Sequence, residues 1–181
     1  MQASCVVWLT GLPGAGKTTI AKILEDELRK RQLKVEVLDG DELRRNLSPE
    51  LGFSKNDREL HAKRVAYISW LLSKNGIIAI VALISPYRSF RQYARDLIGK
   101  GFLEVWVKAS IETCRKRDPK GVYKSAEQGK ISNLTGIQDP YEPPLNPELI
   151  LNTENEPPEK CRAKVLDLLM RMGYLEDIHF S

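Results

Sequence analysis

The sequence predicts an α/β fold, a three-layer α/β/α sandwich around a parallel five-stranded sheet. Three observations predict it. Short apolar runs alternate with helix-period runs along most of the 181 residues, the pattern of a parallel sheet with helices on both sides. The run 77–84 is almost wholly apolar, as a strand covered on both faces must be. The first apolar run, 5–10, opens directly into a glycine-rich turn and then a helix, and ligands of such sheets sit at the carboxyl ends of strands.

In chain order, CVVWLT at 5–10 is short, apolar and bounded by Gly11, which reads as a buried strand. From Lys17 to about Arg31, Ile20, Leu24 and Leu28 recur every four residues, a helix period. The second strand spans 35–38 and ends at Asp39, with helical-looking Glu42 to Arg45 behind it. Residues 57–73 read as a long helix with Val65, Ile68, Leu71 and Leu72 on its apolar side. The third strand is 77–84, followed by a helix at 88–98, a fourth strand at 102–107 and a short helix at 111–117. Residues 149–151 make a fifth short strand, and a last helix runs from about Pro158 to Met172, stopped near Gly173. The least regular stretch, 118–147, holds Gly121, Gly129, Gly136 and five prolines. It is long for a connection inside one domain, so it is a candidate lid, and Arg115, Lys116, Arg117, Lys120 and Lys124 at its start suit closure over phosphate.

Composition bounds the reading. The length suits a single domain over 1–181, and 42% hydrophobic with 29% charged residues is globular. A net charge of +4, with the basic residues interleaved with 24 acidic ones, favours small anions and is no nucleic-acid footprint. Cys5, Cys114 and Cys161 are scattered without metal-ligand spacing, which points to a reducing cytoplasm. No basic leader and no run near the ~18 apolar residues of a membrane span is visible, so no membrane partner is expected.

The turn after the first strand is Gly11-Leu12-Pro13-Gly14-Ala15-Gly16-Lys17-Thr18, followed by Thr19. It fits G-x-x-x-x-G-K-[ST], a loop whose amide hydrogens wrap the phosphates of ATP or GTP. The glycines turn N–H groups inward and the helix start adds unpaired donors. Lys17 reaches the β- and γ-phosphates, and Thr18 offers a hydroxyl to Mg²⁺. Phosphoryl transfer also needs a carboxylate, and Asp39 and Asp41 follow the second strand at once. One is expected to orient metal waters or take the acceptor's proton. The other caps the next helix, with Asp41 the expected cap and Asp39 the functional acid. The third strand ends in Ser85 rather than an acid, and no N-K-x-D segment occurs. Both absences weigh against motor ATPases and GTPase switches and favour a small-molecule kinase. Arg44, Arg58, Lys63, Arg64 and Arg88 lie near the expected active edge, and Arg44 and Arg58 flank Gly52-Phe53-Ser54. Arginines bind phosphate or sulfate and an aromatic face stacks on a base; the competing expectation for Phe53 is a helix staple.

Six segments together resemble the adenylylsulfate kinase family of P-loop kinases: GLPGAGKTT at 11–19, DGDxxR at 39–44, LGFSxxDR at 51–58, ISPYR at 84–88, RDPKGxYK at 117–124 and TGIxxPYExP at 135–144. The resemblance implies a P-loop NTPase fold and transfer of the ATP γ-phosphoryl group to the 3′-hydroxyl of adenosine 5′-phosphosulfate (APS), with Mg²⁺. It assigns ATP to 11–19, metal to Thr18 and Asp39, and catalysis to Lys17, Asp39 and Ser85. The acceptor falls to Asp41, Arg44, Phe53, Arg58, His61, Ile84, Ser85, Lys120 and Leu134. Ser85 is read as positioning substrate, because no histidine lies nearby in sequence as a base and P-loop kinases transfer directly. Leu134 stands where the family commonly has Phe, and His61 where it often has Asn. These two departures support an alternative acceptor, another nucleotide or a small metabolite. A binding module without turnover is the remaining alternative, against which Lys17, Thr18, Asp39 and Lys120 stand together. The resemblance also raises a homodimer and a functional link to an ATP sulfurylase as expectations.

Overall fold

The apolar run after Ser4 becomes β1 (Val6–Thr10), every residue of which is buried. In the computed structural model, which describes residues 3–176, four further strands flank it: β2 (Val35–Asp39), β3 (Ile78–Ala82), β4 (Phe102–Lys108) and β5 (Leu149–Asn152). The order across the sheet is β2-β3-β1-β4-β5 and every pairing is parallel. Parallel neighbours need crossovers, supplied by α1 (Lys17–Lys30), α2 (Gly40–Leu47), α3 (Lys55–Lys74), α4 (Arg88–Ile98), α5 (Ile111–Arg117) and α6 (Val122–Glu127); α7 (Pro158–Arg171) follows β5.

Alternation along β1 divides the core in two. Val7 and Leu9 pack with Ile20, Leu24 and Leu28 of α1 and Val165, Leu168 and Leu169 of α7. Val6 and Trp8 face the other way, onto Val65 and Ala66 of α3 and Ala94 of α4. These are the two helical layers the sequence predicts. Cys5, Cys114 and Cys161 are free thiols, all buried. Among the described residues no helix is long and apolar enough to cross a membrane.

Several boundaries differ from expectation. The third strand stops at Ala82 rather than 84, because Leu83 to Ser85 leave the sheet and Ser85 adopts φ +39°. The long helix starts at Lys55, where the Ser54 side chain accepts from the Asp57 amide. The irregular stretch contains α6, and its remaining residues run as turns and extended chain. Asp39, not Asp41, caps α2: its carboxylate accepts from the amides of Asp41 and Glu42. The chain reaches the extended N-cap conformation at the last strand residue, so Asp41 already lies in the first helical turn.

Candidate active site

The phosphate loop leaves β1 between two strands and folds tightly. Gly14 and Gly16 hold φ +77° and +105°, conformations a side chain resists. Gly11 passes so close to β4 that a Cβ there would lie 2.3 Å from the Val107 carbonyl. Lys17 is buried, and its Nζ donates to the carbonyls of Gly11 and Leu12, each at 2.8 Å. Burial lowers its pKa from 10.5 to about 8. Thr18 donates its hydroxyl to Asp39 Oδ2 at 3.0 Å, while Asp39 Oδ1 takes the Asp41 amide at 3.0 Å. One carboxylate therefore serves both the helix cap and the hydroxyl beside the phosphate loop.

Sheet order sets out a cleft of about 850 Å³ around this loop. On one side of β1, the ends of β2 and β3 bring Asp39, Asp41, Arg44, Ile84 and Ser85 to its wall. On the other, residues beyond β4 and β5 bring Arg117, Thr153, Glu156 and Pro158. Thr153 Oγ1 donates to Ala15 O at 2.7 Å and accepts from Arg117 at 3.2 Å. Arg117, Thr153 and Pro158 are cleft residues that sequence reasoning missed as a site. Arg117 entered as lid charge and as the start of the RDPKGxYK segment, without a site role, and no motif marks the other two. The rule that residues after every parallel strand face the ligand could have found Thr153.

The acceptor side is cationic and aromatic. Phe53 is 55% exposed, so it is no staple. Its ring lies 4.8 Å from the Arg44 guanidinium carbon and 5.6 Å from that of Arg58. Burial, and then the neighbouring Arg58, pull the Arg44 pKa below its ordinary value, so an anion placed between the two would relieve both. Arg58 also donates to Asn133 O at 2.5 Å and Thr135 Oγ1 at 3.1 Å, which holds the 118–147 segment to α3. At the segment's other end Lys120 pairs with Asp41, and Tyr123 OH donates to Pro13 O at 2.8 Å. Leu134 lines the cleft, almost fully buried. His61 lines it too, but its Nδ1 is engaged by Ser48 Oγ at 3.0 Å. Burial, reinforced by Arg44, lowers the His61 pKa to about 4 and keeps it neutral.

Not every expected cation converges. Lys63 pairs with Glu59, Arg64 with Glu50 and Arg115 with Glu127, while Arg88 donates to Pro143 O at 2.8 Å. None of the four lines the cleft. Ser85 does; its Oγ accepts from Trp8 Nε1 at 2.9 Å and is 2% exposed with its residue. A smaller hollow of about 610 Å³ beside Leu12 and Trp106 has Asp139 as its one charged lining residue, and Asp139 faces Arg58 at 3.6 Å. The large cleft thus carries the chemistry.

A glycine-rich loop with a buried lysine, a hydroxyl-carboxylate pair, an arginine-flanked aromatic and an overlying segment define a P-loop kinase. The family model for adenylylsulphate kinase matches residues 3–152. The adenylyl-sulfate kinase of Rippkaea orientalis is 49% identical over 174 residues, 96% of each chain. That of Halothermothrix orenii is 47% identical over 96% of this chain and 94% of its own. Among solved structures, the Mycobacterium tuberculosis APS kinase in complex with AMPPNP and APS superposes with a TM-score of 0.90 at 36% identity, covering 94% of this chain and 99% of that one. The chain belongs to the adenylylsulphate kinase family.

Proposed function

We propose, as the function the geometry supports best, that the chain transfers the γ-phosphoryl group of ATP to the 3′-hydroxyl of APS, giving 3′-phosphoadenosine 5′-phosphosulfate (PAPS) and ADP. The observation that carries it is one cleft with a phosphate loop at its centre and the Arg44–Phe53–Arg58 cluster on the β2–β3 side. ATP phosphates occupy the loop 11–19, and its base extends toward Arg117 and Pro158. The APS base lies on Phe53 and under Leu134, and its phosphosulfate takes the two guanidinium groups. The 3′-hydroxyl then faces the γ-phosphate.

The transition state of phosphoryl transfer is loose, so charge neutralisation and alignment carry the rate. Lys17 exchanges its carbonyl partners for the β- and γ-oxygens. Thr18 and Asp39 fit Mg²⁺, which takes one or two carboxylates beside water and phosphate oxygens. When bound, the ion neutralises the triphosphate and holds it in line. Lys120 reaches the cleft from the 118–147 segment, which serves as the lid and excludes water. Ser85 positions the acceptor.

The test is ADP release and PAPS formation with ATP, Mg²⁺ and APS. ADP release with another nucleotide or metabolite but not with APS would overturn the assignment. Arg58→Ala should raise the KM for APS by at least about tenfold, since charge-assisted bidentate contacts are lost. A loss confined to ATP affinity would contradict the map.

A further inference from the structure

Arg91 lies outside the cleft, on α4, and is 2% exposed. Each of its three guanidinium nitrogens donates to a different part of the chain. Nε donates to Glu104 Oε1 at 2.6 Å, Nη1 to the Ser85 carbonyl at 2.6 Å, and Nη2 to the Glu142 carbonyl at 2.7 Å. Glu104 belongs to β4 and is itself fixed: its amide donates to Glu148 Oε2 at 2.6 Å, and Arg95 bonds Glu148 at 2.7 Å. The fork therefore ties two segments outside the sheet to one strand within it. The first is the turn through Ser85, whose φ of +39° is unfavourable for a side-chain-bearing residue and persists only where surroundings dictate it. The second is the C-terminal stem of the lid. The two are stitched again by Glu142 N to Pro86 O at 2.8 Å, and by Thr10, whose hydroxyl donates to Ile84 O at 2.7 Å and lies 3.0 Å from Tyr141 OH.

We infer that Arg91 is a positioning residue for the phosphoryl acceptor: its buried guanidinium sets the Ser85 turn and the lid stem at one fixed separation from β4, so that the acceptor wall and the lid stem keep one mutual geometry. Donors on three nitrogens of one rigid plane are needed for this; lysine carries its three donors on a single nitrogen at the end of a flexible stem and does not reproduce the fork. The inference rests on the reading of APS as acceptor.

The experiment compares wild type with Arg91→Lys and Glu104→Gln in full kinetics for both substrates, after melting curves. Wild-type PAPS formation is measured first; its absence sinks the function proposed above, not the role of Arg91 alone. With wild type active, Arg91→Lys should raise the KM for APS and lower kcat, each by about tenfold or more, while the KM for ATP and AMPPNP affinity stay within about twofold. Glu104→Gln, which leaves Arg91 in place but loosens its anchor, should shift APS in the same direction and less. A general loss of structure would move ATP and APS together. Equal shifts for the two substrates, or no shift, overturn the inference. In wild type, APS alone should slow amide exchange across residues 139–144. Should the variants not fold, an unchanged exchange rate in wild type overturns it equally.

Discussion

At the residue scale, Lys17 is the most demanding position. A buried ammonium satisfied by two carbonyls has a pKa near 8 rather than 10.5. Triphosphate binding favours the charged form and raises that value. Nucleotide binding at pH 8.5 should therefore be accompanied by proton uptake, visible in calorimetry as a dependence on buffer ionisation enthalpy, and affinity should fall as pH rises through 8. Lys17→Ala should abolish turnover and the proton uptake while leaving the melting curve in place. Leu134 offers the converse test. It covers the cleft by apolar contact alone, and Leu134→Phe should tighten APS binding by about 0.5–1.5 kcal/mol through ring stacking, read as a lower Kd. These residues were legible in the sequence because the phosphate loop and the family segments are local strings. Asp39 and Asp41 were exchanged in their capping role because one residue of strand length decides which carboxylate sits at the helix boundary. Pro158 was legible only as a helix start, and Thr153 only through the rule for residues that follow parallel strands, since its bond to Ala15 O joins residues more than a hundred positions apart.

At the scale of elements, strands and helices were read nearly to their ends, because buried parallel strands are continuous apolar runs and the helices keep a clean period. The third strand was read three residues too long: Ile77 precedes it, and Leu83 and Ile84 are as apolar as the strand but lie beyond its end and line the cleft. The lid was legible as an excursion, while its internal helix was not, since six residues with Gly on either side give too little period to see. Its packing onto the phosphate loop hinges on Gly136, at φ +90°, where a Cβ would lie 2.8 Å from Leu12 Cδ2. Gly136→Ala should cost about 1–2 kcal/mol of stability and weaken ATP binding, since the displaced leucine belongs to the loop. A thermal melt and an ATP titration check both; unchanged ATP affinity would show that the lid does not bear on the loop.

At the scale of the whole molecule, stability should carry the mark of His61. Its folded pKa of about 4 lies below the ordinary 6.5, so between these values the unfolded chain binds more protons and stability rises with pH. Acidification from 6.5 toward 4 should thus destabilise the protein, and His61→Gln should flatten that slope by on the order of 1–2 kcal/mol. Melting temperatures measured from pH 4 to 7 decide it. The thiols offer another view of the same whole. Cys5 lies beside the start of the central strand, Cys161 in the final helix, and the backbone of Cys114 backs directly onto Gly14 of the phosphate loop. Three built-in chemical clocks thus sit in three parts of one core. The rate at which each is alkylated times the opening of its own neighbourhood, and only the one behind the loop should slow when nucleotide arrives.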